Sequence, residues 1–235
     1  MTHNFVTVVN APVPVIEEYI LMKNVSGARN SGIGTFTKIV RESYQKLVAL
    51  EVQQQDIKEK FIKPGVENVE REFELMGLNN EINKCVVLVI VFSAIAVEAY
   101  IYDYAARNLS DTFAKNYIDK LDPISKWVTI PRLVTGKELP RDHRWFELLN
   151  KLFLHRNKIV HEKSSSPPIK FEDALSYFKR LQLNSKLTDK TAKEAIELLD
   201  ILPNEMREID PDEISWIHGY LLSDPDNPFT LLEEK

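Results

Sequence analysis

From Cys85 to Val97 the chain reads CVVLVIVFSAIAV, an apolar run interrupted only by Ser93. A bilayer needs about 20 such residues in helical form, and here Glu98 and Asp103 follow at once. A helix that is apolar all round but this short predicts the centre of a helical core rather than a membrane span.

Outward from that run the periodicity stays helical. The apolar helix is expected over about Asn80–Asn108, with Asn79 or Asn80 as a cap. Before it, Phe36, Ile39, Val40, Tyr44, Leu47, Val48 and Leu50 recur at three- and four-residue spacings, predicting a helix from Thr35 to about Ile62 that Pro64-Gly65 ends. A short helix is expected around 67–76, closed by Gly77. After the apolar helix, Asp111–Leu121 reads as a short helix stopped by Asp122-Pro123. Residues 124–140, with Pro131, Gly136 and Pro140, read as a loop with turns. Trp145, Leu148, Leu149, Leu152, Ile159 and Val160 define an amphipathic helix from about Arg141 to His161, ended by SSSPP at 164–168. Phe171–Leu183 and Thr188–Leu202 complete a helical hairpin. Residues 1–34 are expected to be irregular or partly extended. The fold class predicted is all-α, a helical bundle with irregular ends. Three regions are expected: an N-terminal extension with helices over 1–79, the bundle over 80–202, and an acidic, proline-containing tail over 203–235.

Composition agrees. The chain has 235 residues, 44% apolar and 28% charged, which is globular rather than disordered. Seven glycines argue against a β-sandwich or a glycine-lined nucleotide fold. The single cysteine, Cys85, excludes an internal disulfide and a Cys-rich zinc site, and suits a reducing, cytoplasmic setting. Residues 1–22 lack a basic start and are broken by Pro12, Pro14, Glu17 and Glu18, so they do not read as a secretory signal. No membrane association is expected. The net charge is −5, but unevenly spread: residues 113–163 carry 11 basic and 6 acidic side chains, and residues 171–235 carry 7 and 15. The first segment is a candidate anion-binding face that the total conceals.

No metal-ligand spacing, nucleophile elbow or phosphate-binding glycine loop occurs, so neither a metal nor a cofactor is expected. The sequence LHRNKIVHEK at 154–163 remains. Arg156 and His161 form an Arg-x4-His unit with Asn157 beside the arginine. An imidazole takes or gives a proton near neutral pH. A guanidinium holds a phosphate through two parallel hydrogen bonds and stabilises charge growing on it. RNA supplies its own nucleophile, the 2′-hydroxyl, so this pair suits metal-free RNA cleavage. In a regular helix Asn157 and His161 share a face, while Arg156 lies about 140° from His161. The same residues also fit a bland reading, a helix C-terminus that favours cations and a snorkelling arginine.

SAIAVEAYIYDYA at 93–105, followed by RNKIVH at 156–161, resembles the HEPN superfamily (higher eukaryotes and prokaryotes nucleotide-binding). The resemblance covers roughly residues 80–200. It implies an α-helical bundle, usually homodimeric, that acts as a metal-independent endoribonuclease in toxin–antitoxin or antiviral defence systems. The catalytic residues it implies are Arg156 and His161, with Asn157 as the polar neighbour and Glu98 as the acidic position that holds Arg156 or tunes His161. Lys151, Lys158, Lys163 and Tyr102 are the candidate RNA contacts; for Tyr102 core packing is the bland alternative. Implied partners are RNA, a second copy of the chain, and an antitoxin or regulatory protein. Some toxins of this family end in His-x-Tyr, the tyrosine being a modification site; Lys163 stands there instead. The competing reading is a non-catalytic RNA-, nucleotide- or protein-binding module.

Overall fold

The computed structural model describes residues 7–9, 16–18, 32–60, 69–161 and 188–213. Lys163, the helix predicted over 171–183 and the tail beyond 213 lie outside the described residues. The fold is all-α. A three-residue antiparallel ladder near the N-terminus, β1 (Thr7–Val9) and β2 (Ile16–Glu18), pairs Val8 with Glu17.

The long helices α1 (Ile33–Lys60) and α2 (Val69–Asn108) pack as an antiparallel hairpin. Phe36 and Phe92 have ring centroids 6.2 Å apart, Lys46 Nζ is 2.7 Å from Glu81, and the Gln54 amide donates to Asn79 Oδ1 at 2.6 Å. Then come α3 (Asp111–Phe113), a π-helical turn (Ala114–Ile118), α4 (Pro123–Thr135), α5 (Arg144–Val160) and α6 (Asp189–Ile209). The apolar run is the hub. Cys85, Val86, Val89, Ile90, Ala94, Val97, Tyr100, Ile101 and Tyr104 are buried among α1, α4, α5 and α6. Full burial of each Val or Ile contributes about 1.5–3 kcal/mol, which is why this helix organises the others. By length and composition Phe73–Asn108 would also pass for a membrane span; in the fold its apolar half is covered by protein.

Three expectations are corrected. First, the helices predicted over 67–76 and 80–108 are one, because α2 is continuous through Gly77, Asn79 and Asn80. An exposed glycine costs a helix about 1 kcal/mol but does not break it, and the contacts of Asn79, Glu81 and buried Leu78 hold this stretch against α1. Second, residues 124–140 are mostly helix. Asp122-Pro123 is a start rather than a stop: the Asp122 carboxylate accepts from Ser125 N–H at 3.1 Å, and Pro123 sits where its missing N–H is harmless. Pro131 lies inside α4, and Gly136 ends it at φ 74°. Third, α6 starts at the expected Thr188, which forms a capping box with Thr191, but runs through Pro203 to Ile209, past the predicted helix end at Leu202.

Ion pairs orient the helices around the hub. Lys151 meets Glu194 at 2.9 Å, Arg144 meets Glu197 at 3.0 Å and His143 meets Glu205 at 3.0 Å, so α5 runs antiparallel to α6. At the far end of α6, Tyr104 donates to Asp210 at 2.7 Å, while Asp189 at its start interacts with Glu51 of α1. Helix α6 is therefore parallel to α2, and α5 is antiparallel to it.

Asp200 on α6 gives a pH-dependent prediction. Burial lifts its carboxyl to about 7, and it has no hydrogen bond or ion pair among the described residues. Between about pH 4 and 7 the folded protein holds a proton there that the unfolded chain has released, so stability falls as pH rises through that window. Asp200→Asn is expected to raise the melting temperature at pH 8, with the gain fading towards pH 4. The gain is bounded at about 4 kcal/mol by 1.36 kcal/mol per pKa unit, and is smaller because water still reaches the group. An equal gain at pH 4 and pH 8, by calorimetry, would remove the titration from the account.

Candidate active site

Helix α5 is anchored along its first three turns and more exposed along its last, where half-buried Ile159 still packs against the core. Trp145, Leu148, Leu149, Leu152 and Phe153 are buried, and the Trp145 indole donates to the Pro140 carbonyl at 2.7 Å. Beyond Phe153 no side chain on α5 is fully buried. Arg156 is half-buried, Asn157 and Lys158 are exposed, and the apolar Leu154 and Val160 stand more than half exposed. His161 is the C-cap, at φ −109° and ψ 19°, with its N–H bonded to the Asn157 carbonyl at 3.0 Å. The helix thus ends at His161, as the sequence predicts.

Arg156, Asn157 and His161 lie along the last two turns of α5, with Asn157 and His161 exposed and Arg156 half-buried. Within that group Arg156 Nη1 donates to Asn157 Oδ1 at 3.0 Å. The His161 side chain is exposed and has no partner among the described residues. The negative end of the helix dipole favours cations here. One turn earlier, His155 is half-buried, and burial followed by the Lys158 ammonium pushes its imidazole below the ordinary value.

The other predicted residues fall elsewhere. Glu98 is not brought to Arg156 or His161: its carboxylate accepts from the buried ammonium of Lys126 on α4 at 2.7 Å. Trp127 explains the separation. Its ring lies 5.7 Å from Tyr100 and 6.4 Å from Trp145, which sets those two residues at one level of the bundle. Since α5 runs antiparallel to α2, Arg156 lies about 13 Å along the axis from Glu98, at 1.5 Å per residue. Lys151 is spent on Glu147 and Glu194. Tyr102 is half-buried and packs against the core, and Tyr100 and Tyr104 are fully inside it.

Pairing also disperses the basic segment. Lys126, Arg132, Arg141, Arg144 and Lys151 all face carboxylates, several of them from α2 and α6. Over 113–161, the cations with no carboxylate partner among the described residues are Lys115, Lys120, Lys137, Arg156 and Lys158. Lys137 donates to the Ile209 carbonyl. Two foci of free charge remain, one at the end of α5 and one at the π turn.

The sequence reading missed a buried polar cluster at the other end of α2. Arg107 Nε donates to Asp103 at 2.8 Å, and its two terminal nitrogens grip Glu213 at 2.7 and 3.2 Å. Tyr100 donates to the same Glu213 at 3.1 Å. Burial pushes the Glu213 carboxyl up, against the pull of Arg107. Tyr100, Asp103, Tyr104 and Arg107 stand at i, i+3, i+4 and i+7, one helix face, and that polar stripe was the available signal. Among the described residues no group of His, Cys, Asp and Glu is placed to hold a metal. No family model, curated protein or solved structure matches the chain.

Proposed function

We propose that the protein is a metal-independent endoribonuclease. The observation that carries this reading is the solvent-facing group of Arg156, Asn157 and His161 beyond the last core residue of α5. There the His161 imidazole makes no hydrogen bond or ion pair among the described residues. In the reaction the 2′-hydroxyl attacks the adjacent phosphorus, and His161 accepts its proton. The bond from phosphorus to the 5′-oxygen breaks, and that oxygen takes a proton as it leaves. Arg156 and Asn157 donate to the phosphate oxygens as charge grows on them. The proton for the leaving oxygen comes from a second His161 if α5 pairs with its mate in a homodimer. Exposed Leu154 and Val160 flank the group and would be buried by such pairing. The family resemblance adds a cytoplasmic toxin or defence role, with an antitoxin or regulatory protein as partner.

The test is cleavage of RNA in EDTA, leaving 2′,3′-cyclic phosphate and 5′-hydroxyl ends, with no cleavage where the 2′-hydroxyl is replaced by hydrogen. A strict Mg²⁺ requirement, or full activity on DNA, would overturn the mechanism. The second reading is a non-catalytic RNA- or protein-binding module. It is favoured by the bond from Arg156 to Asn157 rather than to His161, and by the commitment of Glu98 to Lys126. RNA binding without cleavage would establish it.

A further inference from the structure

The second focus of free charge lies at the π turn, at the opposite end of α2 from the start of α6. Phe113 and Tyr117 are 36% and 64% exposed, with ring centroids 5.2 Å apart and planes at 43°. Buried Ala114 and Ile118 anchor the turn, so Phe113, Asn116, Tyr117 and Lys120 share its outward side. Lys115 and Asp119, both exposed, stand four residues apart on the flank without an ion pair among the described residues. Lys120 is the exposed cation that helical spacing puts on the same side as the rings.

The backbone here is costly. Ser110 adopts φ 140° and ψ 157°, a region almost confined to glycine, while its hydroxyl caps the turn at Phe113 N–H. The Asp119 N–H bonds to the Ala114 carbonyl at 2.9 Å, the i-to-i+5 pattern of a π-helix. Strained and π-helical turns recur at functional sites.

We propose that Phe113 and Tyr117 form a stacking platform for the bases of single-stranded RNA, with Lys120 on the phosphates. Every base offers a π face to an aromatic ring, and every nucleotide brings a negative charge to a nearby ammonium. An apolar peptide would use the rings but gain nothing from Lys120. The proposal deepens the ribonuclease reading and rests on it for the choice of RNA. The end of α2 at Asn108, which the π turn follows and packs against, lies about 28 Å along the helix axes from Arg156. A stacked strand rises about 3.4 Å per nucleotide, so about eight nucleotides link the two sites.

The test uses the full chain carrying His161→Ala, so that RNA is bound but not cut. The probe is a fluorescein-labelled uridine oligomer of about 16 nucleotides, read by anisotropy at several salt concentrations. Adding Phe113→Ala and Tyr117→Ala together is expected to weaken binding about 5- to 100-fold, the range for losing base stacking. Tyr117→Trp should preserve binding. Lys120→Gln should flatten the slope of log affinity against log salt by about 0.7, one phosphate contact on a single strand; this variant also keeps the aromatic pair intact should the double variant fold poorly. Undiminished binding by the double variant, an unchanged slope for Lys120→Gln, or no binding by the parent would each overturn the platform. Loss of self-association rather than of RNA binding would make the rings a protein contact and overturn it too. Cleavage is read separately on the unmutated chain. RNA bound through the rings but never cut would sink the ribonuclease reading and leave the platform standing. RNA cut by a protein whose platform variants bind normally would do the reverse.

Discussion

Alanine in place of His161 is expected to slow RNA cleavage by about 10²–10⁴, and alanine in place of Arg156 by a similar factor. Those are the ranges for losing a proton-transfer group and a donor to a developing oxyanion. The fold should be nearly indifferent to both changes. His161 lies exposed at the helix end, and half-buried Arg156 donates to its neighbour Asn157. Stability changes of about 0.5 kcal/mol or less are usual for such positions. Single-turnover rates, read beside melting curves, separate the outcomes. A variant that folds and cuts at the parent rate removes that residue from the mechanism. A variant that loses its melting transition shows the residue to be structural. Asn157→Ala should cost less than either, because Arg156 keeps its charge when Asn157 is gone.

Arg107 carries the largest expected effect on stability. Its guanidinium is mostly buried and bridges Asp103 and Glu213, whose side chains are 8% and 2% exposed. Arg107→Met keeps much of the apolar stem but leaves two buried carboxylates without their shared cation. Breaking a buried pair from one side costs about 3–5 kcal/mol, or about 6–20 °C in melting temperature for a domain of this size. The sign of the pH dependence follows from the same charges. Without Arg107 the buried Glu213 carboxyl holds its proton more tightly in the fold than in the unfolded chain, so the variant's deficit should shrink as pH falls and that group becomes neutral. Arg107→Lys restores the charge but not the two-pronged grip on Glu213, and should recover part of the loss. A melting temperature for Arg107→Met equal to the parent's at pH 7 would show that the cluster contributes nothing net.

The two clusters differ in how far they could be read in advance. Arg156, Asn157 and His161 lie within six residues of one another, and a helix end is a local event. Their place at one helix end therefore follows from the sequence, although helical spacing turns Arg156 away from His161. Glu98 was mislaid for the opposite reason. Its partner Lys126 sits 28 residues away on a helix that Pro131 and Gly136 made look like a loop. The stripe of Tyr100, Asp103, Tyr104 and Arg107 was visible, but Asp210 and Glu213 are over 100 residues distant and reach it only because α6 runs on past Pro203. Gly77 misled in the other direction, since a propensity cost of about 1 kcal/mol yields to packing against α1.

By itself the sequence determined the all-α class, the apolar run from Cys85 to Val97 as hub, the capping box at Thr188 and the exposed helix end that carries Arg156 and His161. Each is set by periodicity or by contacts within one or two turns, where chain connectivity already holds the partners together. Tertiary structure alone decided which charges meet: that Lys126 takes Glu98, that α6 neutralises Arg144 and Lys151, and that free cations survive beside Arg156 and beside Phe113 and Tyr117. Charge pairing acts between side chains brought close by helix packing, and the angle and direction of that packing are properties of the assembled core rather than of any one segment.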